Sequence, residues 1–201
     1  MDMFIPLALL AFAAYALRAK DQRRRIALLA SHLGKHQIEK LMETLTQGYL
    51  RALGESEPAR REQIWQLLSG TETQLIEQFN AFAAGFARVA EPDARVSKIA
   101  LAFPYADKLF PRASFDMRQA FAIHAQAISD AAGNRAGRTP RDKAFTLSAE
   151  LFLMQHSCHW FCKSKTIASA RLLARHQTSY AQVLAAVAPE TRLAYGALVG
   201  H

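Results

Sequence analysis

The first seventeen residues constrain this chain more than any other segment does. Residues 3–17 carry no charged side chain. Basic residues follow at once, with Asp21 the one acid among them: Arg18, Lys20, Arg23, Arg24 and Arg25. An apolar segment with a basic flank is typical of a membrane anchor whose following domain lies in the cytoplasm. The sequence therefore predicts attachment through residues 3–17 and contact of these basic side chains with anionic lipid headgroups.

The length of the apolar segment leaves its mode of attachment open. As a helix, residues 3–17 would measure about 22 Å at ~1.5 Å per residue, against a hydrocarbon core of ~30 Å. Snorkelling of Arg18 and Lys20 would help such a helix to span. Two alternatives are a cleaved signal peptide, which would normally begin with basic residues, and a buried or interfacial helix in a soluble protein or oligomer. We expect a single-pass helix in an inner (cytoplasmic) membrane of bacterial type.

Composition predicts one folded domain behind this anchor. The chain has 201 residues, of which 51% are hydrophobic and 21% charged, as in globular proteins. We therefore assign residues 1–25 to an anchor with its basic collar, and residues 26–201 to a single cytoplasmic helical domain. The net charge is +8, and residues 18–25 supply half of it. Lipid headgroups account for that half, so nucleic acid is not an expected partner.

The pattern of apolar residues predicts an all-α fold, an irregular multi-helix bundle with an N-terminal membrane-anchor helix. Apolar side chains recur with the helical period, whereas no stretch alternates for long enough to predict a strand. Residues 92–113, which hold Pro104 and Pro111, are the one irregular stretch, with a single turn near 105–110. The helices predicted in the domain cover residues 38–53, 58–70, 71–89, 114–132, 139–176, 178–187 and 189 onward.

A cluster of sulfur and imidazole side chains is the first candidate site. His156, Cys158, His159 and Cys162 lie within seven residues of a predicted helix, and the last three share one face. Thiolate and imidazole are ligands for zinc, and Cu(I) accepts thiols. The flanking residues are apolar, however, and no second ligand pair with the spacing of a zinc knuckle occurs in the chain; His32, His36 and Glu39 share a helical face, but neighbouring Lys35 and Lys40 favour a solvated surface there. Such a pattern favours a buried structural helix over a metal site or a reactive thiol, and we expect no cofactor.

A basic helix is the second candidate. No acid occurs between Glu150 and Glu190, a segment that holds Lys163, Lys165, Arg171 and Arg175. Arg171 and Arg175 lie one turn apart and would share a face. We expect these four residues to contact lipid headgroups or a protein partner.

Together these features favour a non-enzymatic role. No nucleotide-binding glycine loop and no Gly-x-Ser-x-Gly elbow occurs in the sequence. The leading interpretation is a membrane-anchored adaptor or assembly subunit that binds a protein partner or forms a homo-oligomer. The alternative is a small metal- or thiol-dependent sensor or enzyme centred on Cys158, His159 and Cys162.

Overall fold

A computed structural model describes residues 4–100 and 103–200 of the chain. Within them the chain is mostly helical, which confirms the predicted all-α class. The elements are α1 (Phe4–Leu33), α2 (Ile38–Gly54), α3 (Pro58–Phe86), α4 (Glu91–Ala94), β1 (Arg95–Ser97), α5 (Ala106–Leu109), a 3-10 turn (Pro111–Ala113), β2 (Ser114–Asp116), α6 (Met117–Ala132), α7 (Pro140–Cys162), α8 (Lys165–His176), α9 (Tyr180–Ala186) and α10 (Pro189–Val199).

Helix α7 is the centre of the bundle. It packs against α1, α2, α6, α8 and α9, so its neighbours surround it. Its buried side chains accordingly lie on all sides of the helix and include Leu147, Leu151, Trp160 and Phe161. A helix that is apolar all round is expected where it is enclosed by other elements. The segment that carries the predicted Cys/His cluster is therefore the core helix of the domain.

An aromatic cluster joins α3, α6 and α7 in the core. The ring of Phe121 in α6 lies 4.9 Å from the rings of both Phe82 and Phe86 in α3. Phe161 of α7 lies 5.7 Å from Phe86. All four side chains are at most 1% exposed. Edge-to-face aromatic pairs contribute about 0.5–1.5 kcal/mol each beyond the burial of their area, so this cluster fixes the relative positions of the three helices.

Three local predictions were wrong. Helix α3 runs through Gly70, where the sequence predicted a break, since a single glycine costs a helix only about 1 kcal/mol. The predicted helix 139–176 is two helices, because the Ser164 hydroxyl accepts a hydrogen bond from the Ile167 amide and starts α8. Strands β1 and β2 pair antiparallel, with Val96 opposite Phe115, in a region predicted to have no strand. Strands of three residues are too short to show an alternating pattern.

Helix α1 has two halves with opposite surroundings. Residues 6–17 are exposed throughout, whereas Asp21, Arg25 and Leu29 of the second half are buried against the domain. The helix crosses the predicted boundary between residues 25 and 26 without interruption. No helix in residues 4–100 and 103–200 combines the length and the apolar character needed to cross a membrane. The predicted spanning anchor is thus unsupported, and its first residue, Met3, lies outside the described residues.

Candidate functional site

A groove between α1, α2 and α7, here called the thiol groove, holds both cysteines of the chain. Its volume is about 230 Å³, somewhat below the ~300–1,000 Å³ common for ligand sites. Its walls are mainly apolar and rich in sulfur, and they include Leu29, Ile38, Met42, Met154, Cys158 and Cys162. The second half of α1 and helix α2 both pack against α7, so three helices contribute to these walls. The sequence predicted the cysteines as candidates but not this apolar cavity.

Both thiols are held in their protonated form. Burial is the main cause that raises the pKa of Cys158 well above its ordinary value, and the nearby Cys162 raises it further. Burial also raises the pKa of Cys162 to about 11, in spite of nearby Arg25, Lys163 and Arg171. The thiolate is the reactive form of cysteine, and it is scarce at neutral pH when the pKa is raised. The environment of both thiols therefore opposes the reactive-thiol alternative.

The two histidines of the predicted cluster point to different partners. His156 is buried, its Nε2 lies 3.0 Å from the Ser169 hydroxyl, and its ring stacks on Tyr180 at 4.4 Å. His159 instead lies beside Arg171, with 3.2 Å between its Nδ1 and the guanidinium. In the part of the chain that the structure describes, no three His, Cys, Asp or Glu side chains are grouped to hold a metal.

The edge of the thiol groove is basic. A guanidinium can only donate hydrogen bonds, so Nδ1 of His159 accepts from Arg171 and the ring proton lies on Nε2. Burial, helped by Arg171 and Arg175, lowers the pKa of His159 and keeps the ring neutral. Arg175 pairs with Glu39 of α2 at 3.5 Å. The structure thus brings Arg171 and Arg175, predicted as a separate basic surface, next to the face with Cys158, His159 and Cys162.

A second groove continues the first one towards α8. Its volume is about 390 Å³, and Arg171 and Arg175 contribute to its walls. It shares Gln155 and His159 with the thiol groove, so the two cavities adjoin. One long surface therefore passes from an apolar part between α1, α2 and α7 to a basic part beside α8.

The two predicted lysine contacts lie elsewhere and already have partners within the chain. Lys163 donates a hydrogen bond of 2.9 Å to the side-chain oxygen of Gln22 in α1. Lys165 lies 5.2 Å from the Trp160 ring and 5.1 Å from the Tyr180 ring, in cation–π contact with both. Both side chains therefore contribute to packing around α7 and α8.

The basic collar of α1 divides into two groups. Arg25 is 6% exposed and joins two buried carboxylates, Asp21 at 3.2 Å and Asp107 at 2.7 Å. Its guanidinium also lies 5.5 Å from the Phe161 ring. Arg24 is partly exposed and pairs with Asp93. The charge of Arg25 is therefore used inside the domain, and a headgroup contact remains a prediction for the more exposed members of the collar.

The first half of α1 is exposed on every side. Each residue of an α-helix is turned by about 100° from the one before, so the large apolar side chains of residues 7–17 point in all directions. They are between 47% and 70% exposed: Leu7, Leu9, Leu10, Phe12, Tyr15 and Leu17. Of the collar, Lys20 and Arg23 are exposed and Arg18 is half-buried. The first half of α1, here called the apolar rod, therefore projects from the domain, and the basic residues of the collar lie where it joins the domain.

A buried polar network links α6, α7 and α10, and no local sequence pattern indicates it because its members are far apart in the chain. The hydroxyl of Ser157 lies 2.8 Å from Nε2 of His124 and 2.9 Å from the Tyr195 hydroxyl. Burial is the main cause that lowers the pKa of His124 to about 3, so the imidazole is neutral. A Ser–His pair is the arrangement of many hydrolases, but all three side chains here are completely buried. The network therefore holds helices together.

Two surfaces thus have a marked chemical character: the apolar rod of α1 with its collar, and the thiol groove with its basic edge. The chain matches no known protein family, no curated protein and no solved structure. The chemistry of its own residues is therefore the basis for assigning a function to these surfaces.

Proposed function

We propose that the protein is a membrane-associated helical binding domain, which residues 4–17 attach to the bilayer. The observation that carries the proposal is the all-round exposure of large apolar side chains on the first half of α1. A helix with a single apolar stripe can lie flat on a surface, but one that is apolar on all sides needs an apolar medium around it. A bilayer provides that medium, and the basic collar at the base of this segment is complementary to anionic headgroups.

Insertion into the bilayer without a full crossing fits the length of this segment. Residues 4–17 measure about 21 Å at ~1.5 Å per residue, which is about two thirds of a ~30 Å hydrocarbon core. The basic side chains of Arg18, Lys20 and Arg23 follow directly and would remain at the headgroups. We place the domain on the cytoplasmic face of an inner membrane, because basic residues that flank apolar segments are enriched on that side.

Binding rather than catalysis is the proposed role of the domain. The thiols of Cys158 and Cys162 have raised pKa values, and the Ser157–His124 pair is completely buried. These features leave no activated nucleophile among the sites described above. An adaptor or assembly role fits a domain that presents grooves and is held close to a membrane.

Vesicle flotation with the full chain tests the membrane proposal. Leu10→Asp places a charge within the apolar rod, and such a charge costs about 2.5–3.5 kcal/mol in a bilayer. We expect the bound fraction, expressed as a partition coefficient, to fall about a hundredfold. Leu67→Asp is the matched control, because Leu67 is similarly exposed, at 76% against 69% for Leu10, but lies on α3. Equal losses for the two variants would contradict attachment through α1.

The collar requires a separate measurement. Exchanging Arg18, Lys20 and Arg23 together for Gln should weaken binding to anionic vesicles and leave binding to neutral ones unchanged. Each basic residue near an anionic surface contributes about 1 kcal/mol, so a loss of roughly a hundredfold is expected at low salt. A loss that is the same for neutral vesicles would contradict the headgroup contact.

A further inference from the structure

We propose that the thiol groove binds a long-chain carboxylic acid, with its hydrocarbon chain between α1, α2 and α7 and its carboxylate at Arg171. This ligand site is distinct from the apolar rod of residues 4–17, and it does not depend on how the protein meets a membrane. Three properties of the groove support the assignment: its apolar walls, its basic edge and the connection between the two.

The walls favour a flexible hydrocarbon chain. Met42 and Met154 face the groove together with both cysteines and with Leu29 of α1. Methionine is unbranched and polarisable, and it adapts to ligands of irregular shape. The sulfur of Cys158 lies 3.8 Å from that of Met154, so the two side chains form one soft surface. Because both thiols are protonated, this surface carries no charge, and Glu39, the acid among the residues that line the groove, is paired with Arg175.

The edge favours a single negative charge. Arg171 contacts the neutral His159 and, among residues 4–100 and 103–200, forms no ion pair with an acid. The neighbouring Arg175 is already paired with Glu39. One guanidinium is thus left to balance one anionic group, and its planar donors match a carboxylate in two parallel hydrogen bonds. The proton on Nε2 of His159 supplies a further donor on the same edge.

The connection between the cavities gives the ligand its orientation. Gln155 and His159 belong to both grooves, so a chain that fills the apolar part ends beside the basic part. A ligand with one apolar end and one anionic end satisfies both regions at once. A neutral alcohol of the same chain length satisfies only the first region, and this difference provides the control.

Photo-crosslinking on the full chain in phosphatidylcholine nanodiscs tests the proposal. The probe is palmitic acid with a diazirine in its chain, and the labelled peptides are mapped by mass spectrometry. We expect labelling in α2 and α7, at peptides that contain Met42 and Met154, which excess palmitate suppresses and hexadecanol suppresses far less. Labelling confined to residues 4–17, or equal suppression by the alcohol, would overturn the proposal.

Two variants with matched controls separate the chain contact from the charge contact. Arg171→Gln should weaken labelling of the groove about tenfold, as expected for the loss of a charge-assisted hydrogen bond, whereas Arg61→Gln, at an exposed position of α3, should not. Ala30→Phe fills the groove and should abolish its labelling, whereas Ala27→Phe, exposed on the same helix outside the groove, should not. Groove labelling unchanged by Arg171→Gln and by Ala30→Phe would overturn the assignment.

The cysteines give an independent readout, because the only two in the chain both line the groove. Palmitate should slow their reaction with the uncharged reagent N-ethylmaleimide, and it should lose this effect in Ala30→Phe. A rate that palmitate leaves unchanged would contradict occupation of the groove. Vesicle flotation of Ala30→Phe should equal that of the wild type, so failure of this proposal is distinguishable from failure of membrane attachment.

Discussion

The two halves of α1 reverse the usual relation between polarity and burial. The first half is apolar and exposed, with Leu10 at 69%, whereas the second half buries the charged side chains of Asp21 and Arg25 at 7% and 6%. The buried charges of the second half have partners inside the chain, in Asp107 and Phe161, whereas no part of the described chain covers the large apolar side chains of the first half. Which side chains of this helix are buried thus depends on the partners that the rest of the chain provides, and not on their hydropathy alone.

The largest expected effect tests the charged half. Arg25→Ala leaves the carboxylates of Asp21 and Asp107 buried without their cation, and breaking a buried pair in this way costs about 3–5 kcal/mol. The free energy of unfolding in urea, measured on the full chain in detergent, should fall by that amount. Arg23→Ala, on the same helix but exposed, should change it by less than ~0.5 kcal/mol. Equal losses of unfolding free energy in the two variants would contradict the difference between a buried, paired arginine and an exposed one.

A buried carboxylate outside α1 sharpens the comparison. Glu150 of α7 is completely buried and accepts hydrogen bonds of 2.9 Å from the Ala188 amide and the Thr191 hydroxyl. Burial is the main cause that raises its pKa from 4.5 to about 7, and the two hydrogen bonds oppose that rise. Where Arg25 neutralises its carboxylates by direct contact, Glu150 is held by neutral donors.

The sign of the pH effect follows from this raised pKa. Between pH 4.5 and about 7 the unfolded chain releases the proton of Glu150 while the folded chain keeps it, so stability falls as the pH rises. Glu150→Gln removes this contribution. We expect the stability of the variant relative to the wild type to increase by up to about 3 kcal/mol across that window, measured by urea unfolding at several pH values. A pH-independent difference would show that Glu150 is ionised in the folded protein.

The smallest effect compares leucines in the two halves. Leu29 is 6% exposed in the wall of the thiol groove, and Leu29→Ala should lower the free energy of unfolding by about 2 kcal/mol, the lower end for a buried leucine. Leu10→Ala should change it by less than ~0.5 kcal/mol, since nothing in the described chain packs on that exposed side chain. A comparable loss for Leu10→Ala would indicate that the first half of α1 also packs in a protein core.

Much of the fold could be predicted from the sequence where the signal is local. The helical period placed α2, and the predicted helix starts at residues 139, 178 and 189 lie within two residues of the starts of α7, α9 and α10. Contacts between distant residues could not be predicted in this way. We predicted Arg25 as part of the basic collar, because its partner Asp107 is 82 residues away and the sequence does not indicate their contact. The basic edge of the thiol groove was missed for the same reason, since Glu39 and Arg175 are 136 residues apart.

Helix α1 has no internal hinge, because no glycine or proline interrupts it between Pro6 and Leu33. It therefore acts as a rigid stalk, and the thiol groove opens at Ile26, about 14 Å along the stalk from Leu17 at ~1.5 Å per residue. Deleting Ala19 would shorten the stalk by about 1.5 Å and swivel the domain by about 100°. Because the first half of α1 is apolar on every side, the membrane attachment proposed above would tolerate this rotation, whereas the direction in which the thiol groove faces would change.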